Sequence, residues 1–253
     1  MSRQELRAPD AFQRVGVEAE GWIARNRNLV LGTVVAALAI FFAVMATRSL
    51  SQRKEEKART ALGTAVGVLS RPVVADLPPG ATDDPPPFKS EKERDEAAVK
   101  ALSDVLTSYP GTKAALTATL PLAATEVRLG QLDPAIGHFE AYLSRAPSTE
   151  PLRVAALDGL GHAYEAKAQL PQALDAYERM AREEGAGFEA GMGAYNRARI
   201  LTMMGKKQEA AQAFGELVAT NPGTTAARLG QERLSALEAE GFKAVIAPKP
   251  DAG

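Results

Sequence analysis

The 253-residue chain has no cysteine, which excludes disulfides, thiolate nucleophiles and every cysteine-based metal or iron–sulfur centre. A thiol-free chain fits either redox compartment, so this absence does not say where the protein works. Histidine is nearly absent too: His138 and His162 are the only imidazoles. Aromatic residues make up 6% of the chain. So low a share, in an alanine-rich composition, favours closely packed helices over a β-sandwich. An excess of either charge is also missing, with 30 basic against 31 acidic side chains, so no electrostatic footprint for nucleic acid is present. Hydrophobic residues supply 45% of the chain, enough for a substantial core in one or two domains.

One long apolar run stands out. Residues 28–47 read NLVLGTVVAALAIFFAVMAT without a charge, between Arg25 and Arg27 on one side and Arg48 on the other. About 20 apolar residues span a hydrocarbon core of about 30 Å, so this segment predicts a transmembrane helix. A cleavable signal peptide is the competing reading. Its apolar region is shorter, its charged leader is shorter, and no A-x-A site follows here. Upstream, Phe12, Val15, Ala19 and Trp22 recur at helical spacing, so residues 1–27 predict an amphipathic segment with Trp22 at the membrane surface. Inside the span, Gly32 with Ala36 and Ala39 with Ala43 stand four apart, the spacing that lets a second helix approach closely. Arg14, Arg25 and Arg27 precede the span, against Arg48, Arg53, Lys54, Lys57 and Arg59 after it. Charge alone would keep the larger domain in the cytoplasm, but long domains translocate despite such charges, and topology stays open.

Residues 48–70 predict a juxtamembrane helix, with Ala58, Leu62, Ala65 and Leu69 on one stripe. Residues 71–90, RPVVADLPPGATDDPPPFKS, break it with six prolines and predict a surface loop. From residue 91 to 240 the chain repeats. Ala98, Ala135, Ala173 and Ala210 are separated by 37, 38 and 37 residues, and each is followed four positions later by a bulky residue: Leu102, Phe139, Tyr177 and Phe214. Pro110, Pro147 and Pro222 close three of the units and Gly185 the fourth. A small residue lets two helices touch and a large one fills the next groove, so the pattern predicts helical hairpins. The best unit, with Leu157, Leu160, Gly161, Tyr164, Ala173 and Tyr177, resembles the tetratricopeptide repeat. The expected fold is all-α: one transmembrane helix followed by an α-solenoid of tetratricopeptide-like hairpins. The segment 51–69 is the expected partner of the Ala98 helix, 224–238 a closing helix, and 241–253 a disordered tail.

No catalytic, cofactor-binding or metal-ligating set is predicted. The two histidines fall on different helices without a converging group of partners, and the glycines of GLGHAYEA and EGAGFEAGMGAY lack the spacing of a phosphate loop. The expected working surface is the concave face lined by the first helix of each hairpin. In the tetratricopeptide register it comprises Leu120, Ala124 and Arg128, then Asp158, His162 and Glu165, then Met192, Tyr195, Arg199 and Met203. Methionine and tyrosine offer adaptable apolar contacts, and paired charges can hold an extended polypeptide.

The whole layout resembles the YfgM-like family, ancillary subunits of the bacterial SecYEG translocon. The local points of similarity are FQRVGVEAEGWIARNRNLV at the membrane entry and the LGQLDPAI, AKAQLPQAL and MGKKQEAA turns. The resemblance implies a single-pass inner-membrane protein with a cytoplasmic N-terminus and periplasmic repeats. Its implied partners are translocon subunits and a periplasmic chaperone or emerging polypeptide. A scaffold for envelope assembly or division without translocon contact is the alternative.

Overall fold

The computed structural model describes residues 22, 24–75, 86–185 and 190–245. The residues Phe12, Val15 and Ala19 lie outside the described residues. Among the described residues nine helices are present: α1 Arg27–Leu69, α2 Glu91–Ser108, α3 Lys113–Arg128, α4 Leu132–Arg145, α5 Leu152–Ala166, α6 Leu170–Glu183, α7 Met192–Met203, α8 Lys207–Thr220 and α9 Thr225–Ala239. The chain falls into two units, residues 1–54 and 55–253, and α1 contributes to both.

In the first unit the apolar run is helical and bare. Leu31, Val35, Leu38, Phe41 and Phe42 are all exposed, and so are Gly32, Ala36, Ala39 and Ala43. This helix is long and apolar enough to cross a membrane.

In the second unit the expected hairpins form, each helix packing on the next in chain order from α2 to α9. The repeat alanines explain the closeness: Ala98, Ala135, Ala173 and Ala210 are fully buried, with Leu102, Phe139, Tyr177 and Phe214 beside them in the core. Residues 55–69 of α1 supply the missing partner of the first unit of the repeat, since Ala61, Leu62 and Ala65 share one cluster with Leu102, Val105, Ala118 and Leu122. Glu55 seals that junction by accepting from the Lys113 N–H at 2.8 Å and the Ala114 N–H at 3.1 Å, at the start of α3. The proline loop is pinned at its base. Val74 N–H donates to the Phe88 carbonyl, Phe88 N–H to that of Pro72, and the Arg71 guanidinium lies 4.2 Å from the centre of the Phe88 ring.

The turns inside the hairpins repeat as well. Gly130, Ala168 and Gly205 hold left-handed φ values of 73°, 57° and 78°. The next residue in each case sends its N–H five residues back: Gln131 to Glu126, Gln169 to Tyr164 and Lys206 to Leu201. Between hairpins, α2, α4 and α8 stop two residues before Pro110, Pro147 and Pro222, because a proline disfavours helical backbone in the residue before it. The serine and threonine caps Ser90, Thr112 and Thr224 accept from the N–H three residues on and start α2, α3 and α9.

The expected disorder of 241–253 does not extend to residues 242–245. Phe242 and Ala244 pack on the cluster formed by α7, α8 and α9, and side chains of α8 hold the backbone of Lys243 and Val245. Residues 246–253 lie outside the described residues.

Candidate protein-binding groove

The first helices of successive hairpins, α5 and α7, carry a linked set of polar groups one repeat apart. Glu165 of α5 and Arg199 of α7 form a two-pronged ion pair, Nη1 to Oε1 at 2.5 Å and Nη2 to Oε2 at 2.6 Å. Tyr177, buried on α6, donates its hydroxyl to Glu165 Oε2 at 3.5 Å. Two turns before Glu165, Asp158 accepts from Asn196 Nδ2 at 3.4 Å and lies 3.4 Å from His162 Nδ1. The His162 ring stands edge-on to Tyr177 with centroids 5.8 Å apart, and the Arg199 guanidinium reaches the Met203 sulfur at 3.7 Å.

The electrostatics follow from these contacts. The hydrogen bond and charge of Arg199 hold the Glu165 carboxyl below its usual range against the opposing effect of burial. Burial, with Glu165 and Asp158 nearby, pushes the Tyr177 phenol far up, so it stays a donor at neutral pH. The side-chain hydrogen bond to Asp158 raises His162 above its ordinary 6.5, while burial acts the other way. A raised histidine stabilises the fold below the unfolded value, and that contribution fades as pH rises through the folded midpoint. The His162 ring, followed by NMR through a pH titration, is therefore expected to titrate above 6.5, and Asp158→Asn to lower its midpoint, while the bond to the residue 158 backbone carbonyl at 2.9 Å remains. An unchanged midpoint in the variant would show that Asp158 does not set it.

Six of the ten expected groove residues are half-buried or exposed on the first helices: Asp158, His162, Glu165, Arg199, Met203 and Ala124. The other four are engaged elsewhere. Arg128 is tied to α2, donating to Asp95 from Nε at 2.7 Å and from Nη2 at 3.1 Å. Leu120 and Met192 are half-buried and pack against the central core cluster. Tyr195 is a correction: it is 9% exposed and packs on Phe214 with centroids 5.8 Å apart, so it serves the core between α7 and α8. Sequence reasoning missed Asn196, although it stands one period from its partner Asp158. Histidine isolation is corrected as well. His162 has Asp158 four residues before it, and His138 Nδ1 lies 2.7 Å from the buried Glu126. Among the described residues no group of three histidine, aspartate or glutamate side chains is placed to hold a metal ion. What the α5–α7 face offers is a fixed array of donors and acceptors beside a flexible methionine.

The model of the tetratricopeptide repeat-like domain family matches residues 20–239. The chain belongs to this family. The match begins before the apolar run and therefore includes it. No match was found among curated proteins. Among solved structures, the nearly identical TPR-like repeats of a Podosopora anserina putative kinesin light chain superpose with a TM-score of 0.54 at 18% identity, over 74% of this chain and 88% of that one. A single-substitution variant of those repeats gives a TM-score of 0.53 at 17% identity, over the same shares of the two chains. A tetratricopeptide repeat protein from Parabacteroides merdae gives 0.48 at 19% identity, over 59% of this chain and 56% of that one. At these identities the likeness concerns the fold, and this family member is an all-helical solenoid.

Proposed function

We propose that this tetratricopeptide-like protein is a membrane-tethered scaffold that docks polypeptides, positioned at the protein-export translocon. The observation that carries the docking reading is the Asp158–His162–Glu165–Arg199 face. Its charges are rigidly paired across one repeat, and groups such as the exposed His162 imidazole and Met203 thioether stay open to a partner. Support for tethering comes from the bare apolar helix, since side chains such as Phe42, 67% exposed, find stable surroundings in lipid or against other membrane helices. Tethering raises the local concentration of the partner, so a weak groove is enough. The translocon assignment, with the repeats in the periplasm and a chaperone or emerging chain as ligand, rests on the likeness of the layout to YfgM-like proteins.

Photo-crosslinking in native membranes tests both parts, with one probe at Ala36 in the span and another at Met203, which is exposed on the groove. Expected are translocon subunits from Ala36 and a periplasmic chaperone or secretory chain from Met203. Recovery of division or envelope-assembly proteins alone would move the function to an envelope scaffold. Digestion of the repeats by protease added from the cytoplasmic side would overturn the periplasmic placement.

A further inference from the structure

Residues 242–245 leave the end of α9 and run along α8. Two glutamines one turn apart on α8 hold their backbone. Gln208 Nε2 donates to the Lys243 carbonyl at 2.8 Å. Gln212 makes both halves of a pairing with Val245: its Nε2 donates to the carbonyl at 3.1 Å and its Oε1 accepts from the N–H at 2.9 Å. Between these bonds the side chains alternate. Phe242 and Ala244 pack on the cluster formed by α7, α8 and α9, and the Lys207 ammonium lies 5.7 Å from the Phe242 ring centre. Val245 is 78% exposed and contributes its backbone only.

This is the period-two geometry of a strand laid against a partner, with a side-chain amide replacing the neighbouring strand. Such a receptor reads backbone at alternate residues and asks for an aromatic and a small side chain at the others. The Phe242 N–H caps α9 by donating to the Leu237 carbonyl at 3.0 Å, whereas the bonds at Lys243 and Val245 are made by side chains of α8 alone. Gln208 is exposed and Gln212 half-buried, so the bonds that hold the tail are open to water and to exchange. The strip lies on α8, whereas the groove residues belong to α3, α5 and α7.

The geometry points to a second docking strip on α8 that binds an extended partner segment of the pattern aromatic-x-alanine-x through its backbone, with the chain's own residues 242–245 as the resting occupant. A partner displaces the tail, which acts as a built-in competitor. The probe is a fluorescent synthetic peptide of residues 242–248, titrated onto the full chain in detergent micelles and followed by anisotropy. A chain ending at Gly241 is expected to bind it. The intact chain is expected to bind at least about tenfold more weakly, because the tethered tail competes at roughly millimolar effective concentration. Gln208→Ala with Gln212→Ala in the shortened chain is expected to weaken binding about tenfold or more, through the loss of all three side-chain bonds to the tail backbone. Failure of a folded shortened chain to bind would overturn the strip, and so would equal binding by the intact chain or indifference to the glutamine changes. A tail-exchanged dimer of the intact chain that shortening dissolves would assign the strip to a second copy and overturn the partner reading. Should shortening unfold the chain, Phe242→Ala in the intact chain frees the strip instead. It then supports the proposal by tightening peptide binding and opposes it by leaving binding unchanged.

Discussion

Replacing Gly193 by alanine is expected to destabilise the repeat domain by about 3 kcal/mol, the upper part of the usual range for overpacking. The Cβ of an alanine there would stand 2.5 Å from the Ala181 backbone nitrogen, 2.8 Å from its Cα and 3.0 Å from the Met180 carbonyl carbon. These are main-chain atoms of α6, fixed by that helix's own hydrogen bonds, and no rotamer change moves them aside. The two helices have to separate instead. Separation also pulls the Gly191 and Gly193 N–H groups away from the Glu184 carboxylate, which accepts them at 3.0 and 2.6 Å and starts α7. In a solenoid each hairpin is stabilised chiefly by its neighbours, so damage at one junction uncouples the two sides. Urea unfolding of the full chain in micelles, followed by far-UV circular dichroism, is expected to show an earlier and broader transition for the variant. Gly137→Ala is the control. Gly137 lies within α4 with open space around it, so alanine there is expected to gain up to about 1 kcal/mol. Equal behaviour of the two variants would refute the close approach of α6 and α7.

The reach of the sequence is clearest where a single residue type has one physical job. The repeat alanines and the bulky residue four positions on set the hairpin register, because helix contact tolerates nothing larger at the first and leaves a hole without the second. Proline stops were equally legible. Tyr195 was not, since neighbouring positions on a helix differ by about 100° and the edge of the groove stripe is also the edge of the core stripe. The pairing of Asp158 with Asn196 was legible in principle from the period, but amides and carboxylates carry no hydrophobic signal and escaped the pattern. Least legible was the order of residues 242–245. Recognition there runs through backbone, and the glutamines that provide it look like any exposed helix surface.

Tyr177→Ala is expected to cost about 3–5 kcal/mol, the range for removing a large buried aromatic side chain. Tyr177 is fully buried on α6, and its ring occupies the space that the missing Gly161 side chain leaves on α5: a Cβ at residue 161 would meet Tyr177 Cε1 at 2.5 Å. The glycine and the tyrosine are thus two halves of one contact, which gives a test sharper than the single loss. Gly161→Ala alone is expected to destabilise by about 1–3 kcal/mol through the clash. In the Tyr177→Ala background the same change meets the vacated space, so most of its cost should vanish, leaving a coupling of about 1–3 kcal/mol in a double-mutant cycle. Additive effects would mean that the two residues do not share the contact. Tyr177→Phe separates packing from polarity. It removes only the hydroxyl donated to Glu165, whose principal partner Arg199 stays in place, and is expected to cost about 1 kcal/mol. The ring also abuts His162, so the alanine variant removes the support of both groove side chains at once. Crosslinking from Met203 should therefore fall in Tyr177→Ala at temperatures where the domain is still folded, and persist in Tyr177→Phe. Loss in both would assign the hydroxyl itself to partner binding, and retention in both would detach the groove from the core beneath it.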